Sequence, residues 1–295
     1  MTQFFQLLFQ GFSLGCIYAL VALGFTVIYR ASKVINFAQG SLLLVGAYLV
    51  SVLATGLNLP FVLAVLAAIV LLAAGGVVFQ TAVLRRVLGQ PVFTLVMITI
   101  GLSIVIDSAV PAIFGDSPRI LGDPWGASAV RLGGVTLNWI RIWAIVCTAL
   151  ILALFFAFDR FSRYGLAMRA TAADEEAALA VGVPVPRVYA LAWAIAAGVA
   201  AVGGLFLAGF PSSPNPSLGD VSLRAFPAII LGGLDSPAGA VVGGVVIGIV
   251  EILTSGYAPG WLGNNFSDVA PYILMILVLL VRPYGLFGTR PVERV

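Results

Sequence analysis

The sequence contains no histidine, and only 9% of its 295 residues are charged. A soluble domain usually carries about 25% charged residues. Hydrophobic residues make up 61% of the chain, and the mean hydropathy is +1.11. This composition predicts a polytopic membrane protein, because so few charges could not cover a soluble fold of this length. The absence of histidine also removes the commonest metal ligand and general base.

Cysteine and lysine are scarce as well. Cys16 and Cys147 both lie inside apolar runs, which is typical of small buried residues and not of a disulfide or a metal pair. The only lysine, Lys33, lacks the preceding Gly-rich loop whose backbone N–H groups hold phosphate in G-x-x-x-x-G-K-[ST] sites. We therefore expect no ATP site of that kind, no catalytic residue, no metal and no cofactor in this chain. A basic stripe for nucleic acid is also absent.

Apolar runs are spread over the whole chain. A helix needs about 20 residues to cross the hydrocarbon core. Three of the runs are shorter and contain Gly or Pro, which predicts discontinuous or re-entrant segments. We expect an all-α polytopic membrane protein of about 7–9 transmembrane helices, with one transmembrane domain over residues 1–295. The runs cover 7–28, 41–54, 61–83, 92–114, 139–158, 188–210, 225–234, 238–254 and 269–281, of which 41–54, 225–234 and 269–281 are the short ones.

The Lys and Arg residues predict the orientation. With the N-terminus outside and the C-terminus in the cytoplasm, 11 basic residues lie on the inner side and 4 on the outer side, which together are all 15. This bias follows the positive-inside rule. It requires an odd number of crossings, either nine or, if one pair is re-entrant, seven. The inner residues are Arg30, Lys33, Arg85, Arg86, Arg160, Arg163, Arg169, Arg187, Arg282, Arg290 and Arg294, and the outer ones are Arg119, Arg131, Arg141 and Arg224.

The outer loops on this topology are residues 115–138, 211–220 and 255–268. They are rich in Pro, Gly, Asn and Trp, so we expect ordered turns and short interfacial helices. Trp125, Trp139 and Trp261 suit the membrane interface.

A polar stretch, residues 159–187, separates two of the long apolar runs. Thr171 and Asp174 have the spacing of a capping box, in which each side chain satisfies a free backbone N–H group. Gly182 is placed as a C-terminal cap, and Pro184 prevents the helix from continuing. The pattern predicts a rigid cytoplasmic helix of roughly ten residues over 171–182.

Two Gly- and Ser-containing segments interrupt the apolar runs. One is residues 36–41, and the other is residues 231–239. Each is either a tight cytoplasmic turn or a gate that lines a path through the membrane. The segments beginning at Phe37 and at Ser236 also form a weak internal repeat, of a kind that is common in transporters, although chance similarity explains it equally well.

Four charged residues lie within or at the edge of apolar runs. An aspartate at a helix centre costs about 2.5–3.5 kcal/mol on the insertion scale, so Asp107 should face protein or water. It is a candidate for contact with a substrate ammonium group or with a donor on another helix. Glu251 either has a functional role or reaches the lipid headgroups, and we expect Arg224 and Asp235 to brace the short run 225–234.

Three pairs of glycines have the spacing G-x-x-x-G. Without Cβ atoms, helices approach closely and gain dispersion contacts. We expect packing within the fold, with a subunit interface as the alternative. The pairs are Gly11/Gly15, Gly239/Gly243 and Gly244/Gly248.

Several motifs resemble those of known importers. Glu176–Gly182 reads E-A-A-x-x-x-G, which resembles the cytoplasmic loop of bacterial ABC importer permeases, although the second half of that signature is missing. Over nearly its full length the chain resembles the branched-chain amino-acid permeases of the LivH type. The segments that carry this second resemblance are Ile35–Gly40, Arg163–Gly165, Arg169–Ala170, Asp174, Gly182, Ala228–Gly239 and Arg282–Gly288.

The resemblance implies a permease subunit in the bacterial plasma membrane. Its expected partners are a second related permease, two ABC ATPase subunits that hold ATP and Mg, and an extracytoplasmic solute-binding protein. The solute is a branched-chain or other apolar amino acid, or alternatively urea, a short amide or a small aromatic acid. Residues 159–187, called the coupling segment below, are expected to dock on an ATPase subunit. The coupling residues are Arg169, Thr171, Asp174, Glu175, Glu176, Ala178 and Gly182.

In the resulting hypothesis, ATP binding closes the ATPase pair, the 171–182 helix moves as a lever, and the interrupted segments open or close the path. The residues assigned to the path or gate are Asn36, Phe37, Gln39, Gly40, Ser41, Asp107, Gly232, Gly233, Asp235, Ser236 and Gly239. One alternative is an ion-driven secondary transporter, for which Asp107 alone gives little support. Another is a membrane-embedded enzyme, which the lack of histidine and of clustered carboxylates disfavours.

Overall fold

The computed structural model describes residues 2–87, 90–132, 135–209, 212–259 and 266–289, so Trp261, Arg290 and Arg294 lie outside the described residues. A π-helical turn, Val52–Gly56, extends α2, and short 3₁₀ helices occupy Leu84–Val87 and Pro216–Asp220. The expectation of an all-α membrane fold is confirmed. In chain order the elements are α1 Thr2–Ser32, α2 Gln39–Ser51, α3 Phe61–Ala82, α4 Val92–Phe114, β1 Ala129–Leu132, β2 Val135–Asn138, α5 Trp139–Phe161, α6 Arg163–Ala173, α7 Glu175–Ala180, α8 Val185–Leu207, α9 Val221–Gly232, α10 Pro237–Tyr257 and α11 Phe266–Val281.

Within the described ranges, 7 helices are long and apolar enough to cross a membrane. They are α1, α2 with its π turn, α3 with the 3₁₀ turn that follows it, α4, α5, α8 and α10. The helices α9 and α11 have only 12 and 16 residues, as the short runs predicted. The short run 41–54 differs, because the π turn extends the helix to 18 residues, within the range of a span.

The core of the fold is built on α1, which packs most extensively against α10 and also along α8. Glycines allow this close approach. A Cβ atom on Gly15 would lie 2.7 Å from the Cα atom of Val245, and Gly248 faces Gly15 across the same interface. Dispersion between closely packed helices supplies the attraction that apolar lipid does not. The spacings Gly11/Gly15 and Gly244/Gly248 therefore serve packing within the chain, as expected.

Each half of the chain contributes a long helix that packs on a helix of the other half. Helix α8 packs along α3 as α1 packs along α10, and each long helix is followed by a short one, α2 or α9. The start of α8 lies beside the end of α1, where Ser32 and Tyr189 line the same small cavity, so the two helices run in opposite directions. In this arrangement α2 corresponds to α9, whereas the predicted repeat paired the segments at Phe37 and Ser236, which begin α2 and α10. That repeat stays a prediction.

The two ends of the helix bundle differ in charge. We call one end the basic end. It includes the helices α6 and α7, the last turn of α1 and the turn between α9 and α10. We call the opposite end, which carries β1 and β2, the hairpin end. This division matches the one predicted from the sequence, while the side of the membrane that each end faces stays a prediction. The described basic residues at the basic end are Arg30, Lys33, Arg85, Arg86, Arg160, Arg163, Arg169, Arg187 and Arg282, and those in the hairpin-end half are Arg119, Arg131, Arg141 and Arg224.

A β-hairpin occupies part of the predicted outer loop 115–138. β1 and β2 pair antiparallel, with Ala129 opposite Asn138. The expectation of turns and short helices is wrong for this part of the loop. Before the hairpin, the ring of Trp125 stacks on that of Trp143 with centroids 5.7 Å apart, which ties the loop to α5.

Candidate functional site

The coupling segment folds into two helices rather than into one that starts at Thr171. The hydroxyl of Ser162 accepts the backbone N–H of Gly165 at 2.8 Å and caps α6, which then continues through Thr171. Asp174 ends this helix and caps α7, because its carboxylate accepts the N–H of Ala177 at 3.0 Å. The predicted capping box is therefore wrong at Thr171, whose side chain is buried and donates its hydroxyl back into its own helix.

The C-terminal end of α7 follows the prediction. Gly182 has a φ of +85°, which is the left-handed conformation that glycine adopts without steric cost. Its N–H donates to the carbonyl of Leu179 at 3.0 Å, and the N–H of Val183 donates to that of Ala178 at 2.9 Å. This pair of bonds is a Schellman motif. It closes a helix of 6 residues that starts at Glu175.

An ion-pair node joins the coupling segment to the long helices. Asp159, near the end of α5, lies 3.3 Å from a guanidinium nitrogen of Arg30 in α1 and 3.4 Å from one of Arg169 in α6. Gly165 packs on the backbone of Asp159, where a Cβ atom would lie 2.7 Å from its Cα. Arg169, predicted to contact a partner, therefore points into the fold and links α6 to α1.

Apolar side chains are exposed on the coupling segment. Leu166, Leu179 and Val181 are 61%, 51% and 80% exposed, respectively. Ala178 was predicted to face a partner, but it is only 3% exposed. The exposed apolar side chain nearest to Ala178 is therefore that of Leu179, one residue further along the chain.

The two glutamates of α7 are both exposed, as the prediction of a contact surface requires. They lie in the first turn of α7, where the helix dipole stabilises negatively charged side chains. Glu175 also lies close enough to the hydroxyl of Tyr189 in α8 for the two groups to interact, and Glu176 lies beside it on the exposed surface.

Asn36 and Gln39 are fully buried at the break between α1 and α2. The side-chain carbonyl of Asn36 accepts the N–H of Ala38 at 3.1 Å, and its amide donates to Gln39 at 3.3 Å. The Gln39 amide donates to the carbonyl of Ala196 in α8 at 3.2 Å. Gly24 in α1 leaves room for this amide, because a Cβ atom there would overlap it. The break is thus held by buried, satisfied polar groups, which specify one arrangement.

Helix α4 and an aromatic pair enclose the same break. The backbone N–H of Phe37 donates to the hydroxyl of Thr99 at 3.3 Å. The ring of Phe37 stacks on Phe226 of α9 with centroids 6.0 Å apart, and Phe226 meets Phe25 of α1 edge-on at 6.2 Å. The start of α2 is therefore in contact with α1, α4, α8 and α9.

A line of polar groups leads from this break along α4. Ser41 and Ser103 are 2.8 Å apart between hydroxyl oxygens, and Ser103 donates to a carboxylate oxygen of Asp107 at 3.1 Å. Because the single proton of Ser103 goes to Asp107, Ser41 donates to Ser103. On the other side, a Cβ atom on Gly219 would lie 3.3 Å from the second carboxylate oxygen and 4.0 Å from the carbonyl of Gly40. We call residues 36–41 with Thr99, Ser103 and Asp107 the polar cluster.

The other predicted path residues form a turn that is covered by the end of the described chain. We call residues 232–239 the glycine turn. The backbone N–H groups of Leu286 and Phe287 donate to the carbonyls of Leu231 and Gly232 at 2.8 and 3.0 Å. These bonds extend the contact between the C-terminal segment and the end of α9.

Side chains complete the glycine turn. The carboxylate of Asp235 accepts the backbone N–H of Thr289 at 3.2 Å, and the hydroxyl of Ser236 caps α10 by accepting the N–H of Gly239 at 3.1 Å. Gly233 has a φ of +105°. The fold therefore divides the predicted path residues between two places, since Asn36–Ser41 lead through Ser103 to Asp107 on α4 while 232–239 lie at the basic end.

A further charged network braces α9. The hydroxyl of Tyr18 donates to Glu251 at 2.7 Å, and Arg224 lies 3.7 Å from Glu251 and 3.1 Å from Asp268. The predicted bracing role of Arg224 agrees with this geometry. Glu251 is only 7% exposed, so the expectation that it reaches the headgroups is wrong.

Sequence reasoning missed several residues of these sites. Thr99 and Ser103 belong to the polar cluster, Phe226 packs against its Phe37 ring, and Arg30 and Asp159 form the ion-pair node with Arg169. The spacing of Ser103 and Asp107, four residues apart in an apolar run, places both on one helix face and was an available signal. No local pattern indicates Phe226, because its contact with Phe37 depends on how α9 packs.

The chain is similar to known permeases over most of its length. The family model described as branched-chain amino acid transport system permease component matches residues 7–279. The high-affinity branched-chain amino acid transport system permease protein LivH of Salmonella typhimurium is 33% identical, and that of Escherichia coli K12 is 34% identical. The corresponding protein BraD of Pseudomonas aeruginosa is 31% identical. Each alignment covers 99% of this chain and 98% of the relative. No solved structure matches this chain.

Proposed function

This chain belongs to the family of branched-chain amino acid transport system permease components, and on that premise we propose that it is the membrane subunit of an ATP-driven importer of branched-chain or other apolar amino acids. The chain itself provides a path and catalyses no reaction. Two separate ABC ATPase subunits bind ATP and Mg²⁺ and supply the energy. An extracytoplasmic binding protein delivers the solute, and a second related permease completes the path.

The exposed surface of the coupling segment carries this proposal. Leu166, Leu179 and Val181 expose apolar side chains on the coupling segment at the basic end, and Glu176 is exposed on the same segment. Exposed apolar side chains that are grouped together mark interaction sites on proteins. With the basic end in the cytoplasm, as the positive-inside rule favours, this surface faces the ATPase subunits of a bacterial plasma membrane importer.

The ion-pair node connects that surface with the path. A displacement of α6 acts through Arg169 and Asp159 on Arg30, which precedes the end of α1 by two residues. The break that follows α1 contains Asn36 and leads into the polar cluster. We therefore assign the gate to the polar cluster, where side-chain hydrogen bonds can exchange partners.

The glycine turn has a different role in this mechanism. Its backbone is bound to the C-terminal segment, and Asp235 lines one cavity together with Arg30, Lys33 and Ala173 of α6. These contacts favour a fixed support beside the coupling segment over a gate. Movement of α6 relative to this support would be transmitted to α1.

Helix α4 supports the presence of a second permease. Its residues Ile104, Val105 and Ile113 are 62%, 63% and 71% exposed in the described chain, and Asp107 is exposed on the same helix. A charged residue at membrane depth faces protein or water rather than lipid. A path between this helix and a second subunit meets that condition.

Cysteine cross-linking tests the docking of the coupling segment. We expect Leu179→Cys, in a chain with Cys16→Ser and Cys147→Ser, to cross-link to a cysteine placed in the groove of the ATPase subunit. The buried Ala178→Cys is the matched control and should react much more slowly. Failure of Leu179→Cys to cross-link in every nucleotide state, with the complex intact, would contradict the proposal.

Uptake into proteoliposomes tests the energy source and the solute. The complete importer should accumulate leucine only with ATP and the binding protein. Uptake that survives without ATP but is abolished by an uncoupler would indicate the ion-driven alternative. Uptake of urea, a short amide or a small aromatic acid, with no uptake of leucine, would keep the importer and change its solute.

A further inference from the structure

Asp107 differs from the other carboxylates of the apolar helices. Asp159 pairs with two arginines, while Glu251 and Asp268 share Arg224. In the described part of the chain, no Lys or Arg nitrogen lies within 4.0 Å of Asp107. The carboxylates that the fold itself neutralises are thus paired with guanidinium groups, and Asp107 lacks such a partner among the described residues.

The position of Asp107 along α4 makes the lack of a positively charged partner costly. It precedes Phe114, the last residue of α4, by seven positions, which is about 10 Å along the helix axis. An ionised side chain at such depth requires a counter-charge or water, and residues of this kind mark substrate pathways. The carboxylate nevertheless lies on an exposed face of α4.

Hydroxyl groups lie on one side of the Asp107 carboxylate, and a glycine lies on the other. Ser103 donates to one oxygen at 3.1 Å, and Ser41 donates to Ser103. The second oxygen lies beside Gly219, where a Cβ atom would come within 3.3 Å of it. Both hydroxyl groups are neutral, so they orient the carboxylate without cancelling its charge.

We propose that Asp107 binds the α-ammonium group of the amino acid in transit, an assignment that rests on the proposed function. An ammonium group brings three N–H donors and a positive charge, which match an oriented carboxylate on an exposed face of α4. The bound pair is neutral, so the solute carries its charge past the apolar surface of α4 with less cost. The amino acid thereby supplies the counter-charge that arginine supplies elsewhere in the fold.

Charge variants in the complete importer test the site. Leucine uptake is measured in proteoliposomes with ATP and saturating loaded binding protein, so that loading does not limit the rate. We expect Asp107→Asn to lower uptake about tenfold or more, because a charge-assisted hydrogen bond is lost. Asp107→Glu keeps the charge and should retain most of the uptake. Asp116→Asn, in the exposed loop after α4, is the matched control and should resemble the unchanged protein.

A second readout separates binding from structure. Asp107→Asn should leave both the assembly and the ATPase activity stimulated by the binding protein intact, whereas a structural role would lower them together with uptake. Should Asp107→Asn fail to fold, Gly219→Ala serves instead. Its methyl group would lie 3.3 Å from a carboxylate oxygen, and we expect a smaller loss of leucine uptake with assembly unchanged.

Three outcomes would overturn the assignment. Unchanged leucine uptake in Asp107→Asn would remove the site while leaving the importer in place. Dissociation of the permease pair in Asp107→Asn would show that a basic residue of the second subunit is the partner. Loss of uptake by the unchanged protein when choline replaces Na⁺ and K⁺ would indicate an inorganic cation. Absence of amino-acid uptake by the unchanged protein would instead reject the proposed function.

Discussion

The two breaks in the helix bundle look alike in sequence and are held by different forces. Both combine Gly, Ser and Ala with short apolar stretches. At the first break, residues 33–41 between α1 and the first turn of α2, the buried side chains of Asn36 and Gln39 form the hydrogen bonds. At the glycine turn, the main contacts join backbone to backbone, because residues 286 and 287 bond directly to residues 231 and 232.

This difference determines which break can move. A typical hydrogen bond contributes only about 0.5–1.5 kcal/mol net when partners are exchanged, so the polar cluster can rearrange at modest cost. Close-packed backbone has no such freedom, because interiors have few voids and overpacking is destabilising. The comparison assigns the gate to the first break and the support to the second, and matched substitutions can test it.

Gly232→Ala should have the largest effect. The new Cβ atom would overlap the backbone carbonyl of Gly239, and neither backbone segment can turn aside. We expect a loss of about 3 kcal/mol or more in stability, measured as a lower midpoint of thermal unfolding in detergent and a smaller monodisperse fraction on gel filtration.

Gly75→Ala in α3 is the control for this change. No atom lies within 4 Å of the Cβ position at Gly75, so the midpoint should stay unchanged or rise, since alanine favours a helix over glycine by about 1 kcal/mol. A midpoint for Gly232→Ala close to that of Gly75→Ala would show that the glycine turn yields easily. The comparison would then fail.

Gly24→Ala is the corresponding change at the first break and should cost less. Its Cβ atom would overlap the amide of Gln39, which is the far end of a flexible side chain. The amide turns away and loses its bonds to Asn36 and Ala196, at a cost of about 1–3 kcal/mol for the buried groups left unpaired. The midpoint of thermal unfolding should fall by less than in Gly232→Ala, while leucine uptake falls because the gate is altered.

A double-mutant cycle sharpens this prediction. Gln39→Ala removes the amide that Gly24→Ala displaces, so the second substitution should add little to the first. Additive losses in the pair would indicate that the space at Gly24 serves helix packing and not the amide of Gln39.

Local signals predicted the spans and one helix end. The long apolar runs and the cap at Gly182 depend on residues close together in the chain, and both agree with the structure. The predicted start at Thr171 failed because Ser162 caps a helix that already includes it. The capping pattern at Thr171 competes with the earlier start signal at Ser162. Thr171 is buried within the helix that Ser162 starts and does not cap a new one.

The candidate sites depended on distant residues. Gln39 bonds to Ala196 and Phe37 bonds to Thr99, partners that no local pattern specifies. Whether a Gly-rich segment becomes a gate or a support depends on what packs against it, and here that is the C-terminal segment. The positions of Asp107 and residues 36–41 were therefore predictable as candidates, but their convergence was not.

Lys33→Gly should have the smallest effect on stability of the substitutions at the two breaks. Lys33 begins the first break with a φ of +56°, in a conformation that costs a side-chain-bearing residue about 1–2 kcal/mol. Glycine relieves that cost but loses about 0.5–1 kcal/mol to its freedom in the unfolded chain. It also loses the contact of the ammonium group with the Tyr29 ring, 5.8 Å from the centroid, worth about 0.5–1 kcal/mol.

These contributions nearly cancel, so the thermal midpoint of Lys33→Gly should change by less than about 2 °C. Gly233 gives the contrast at the second break, because its φ of +105° lies outside the left-handed region that lysine tolerates and its Cβ position lies 2.8 Å from the Cα of Gly288. Gly233→Lys should therefore unfold the turn that Lys33→Gly leaves intact at the other break. Equal midpoints for the two variants would mean that backbone contacts hold neither break, and the distinction between gate and support would have to be abandoned.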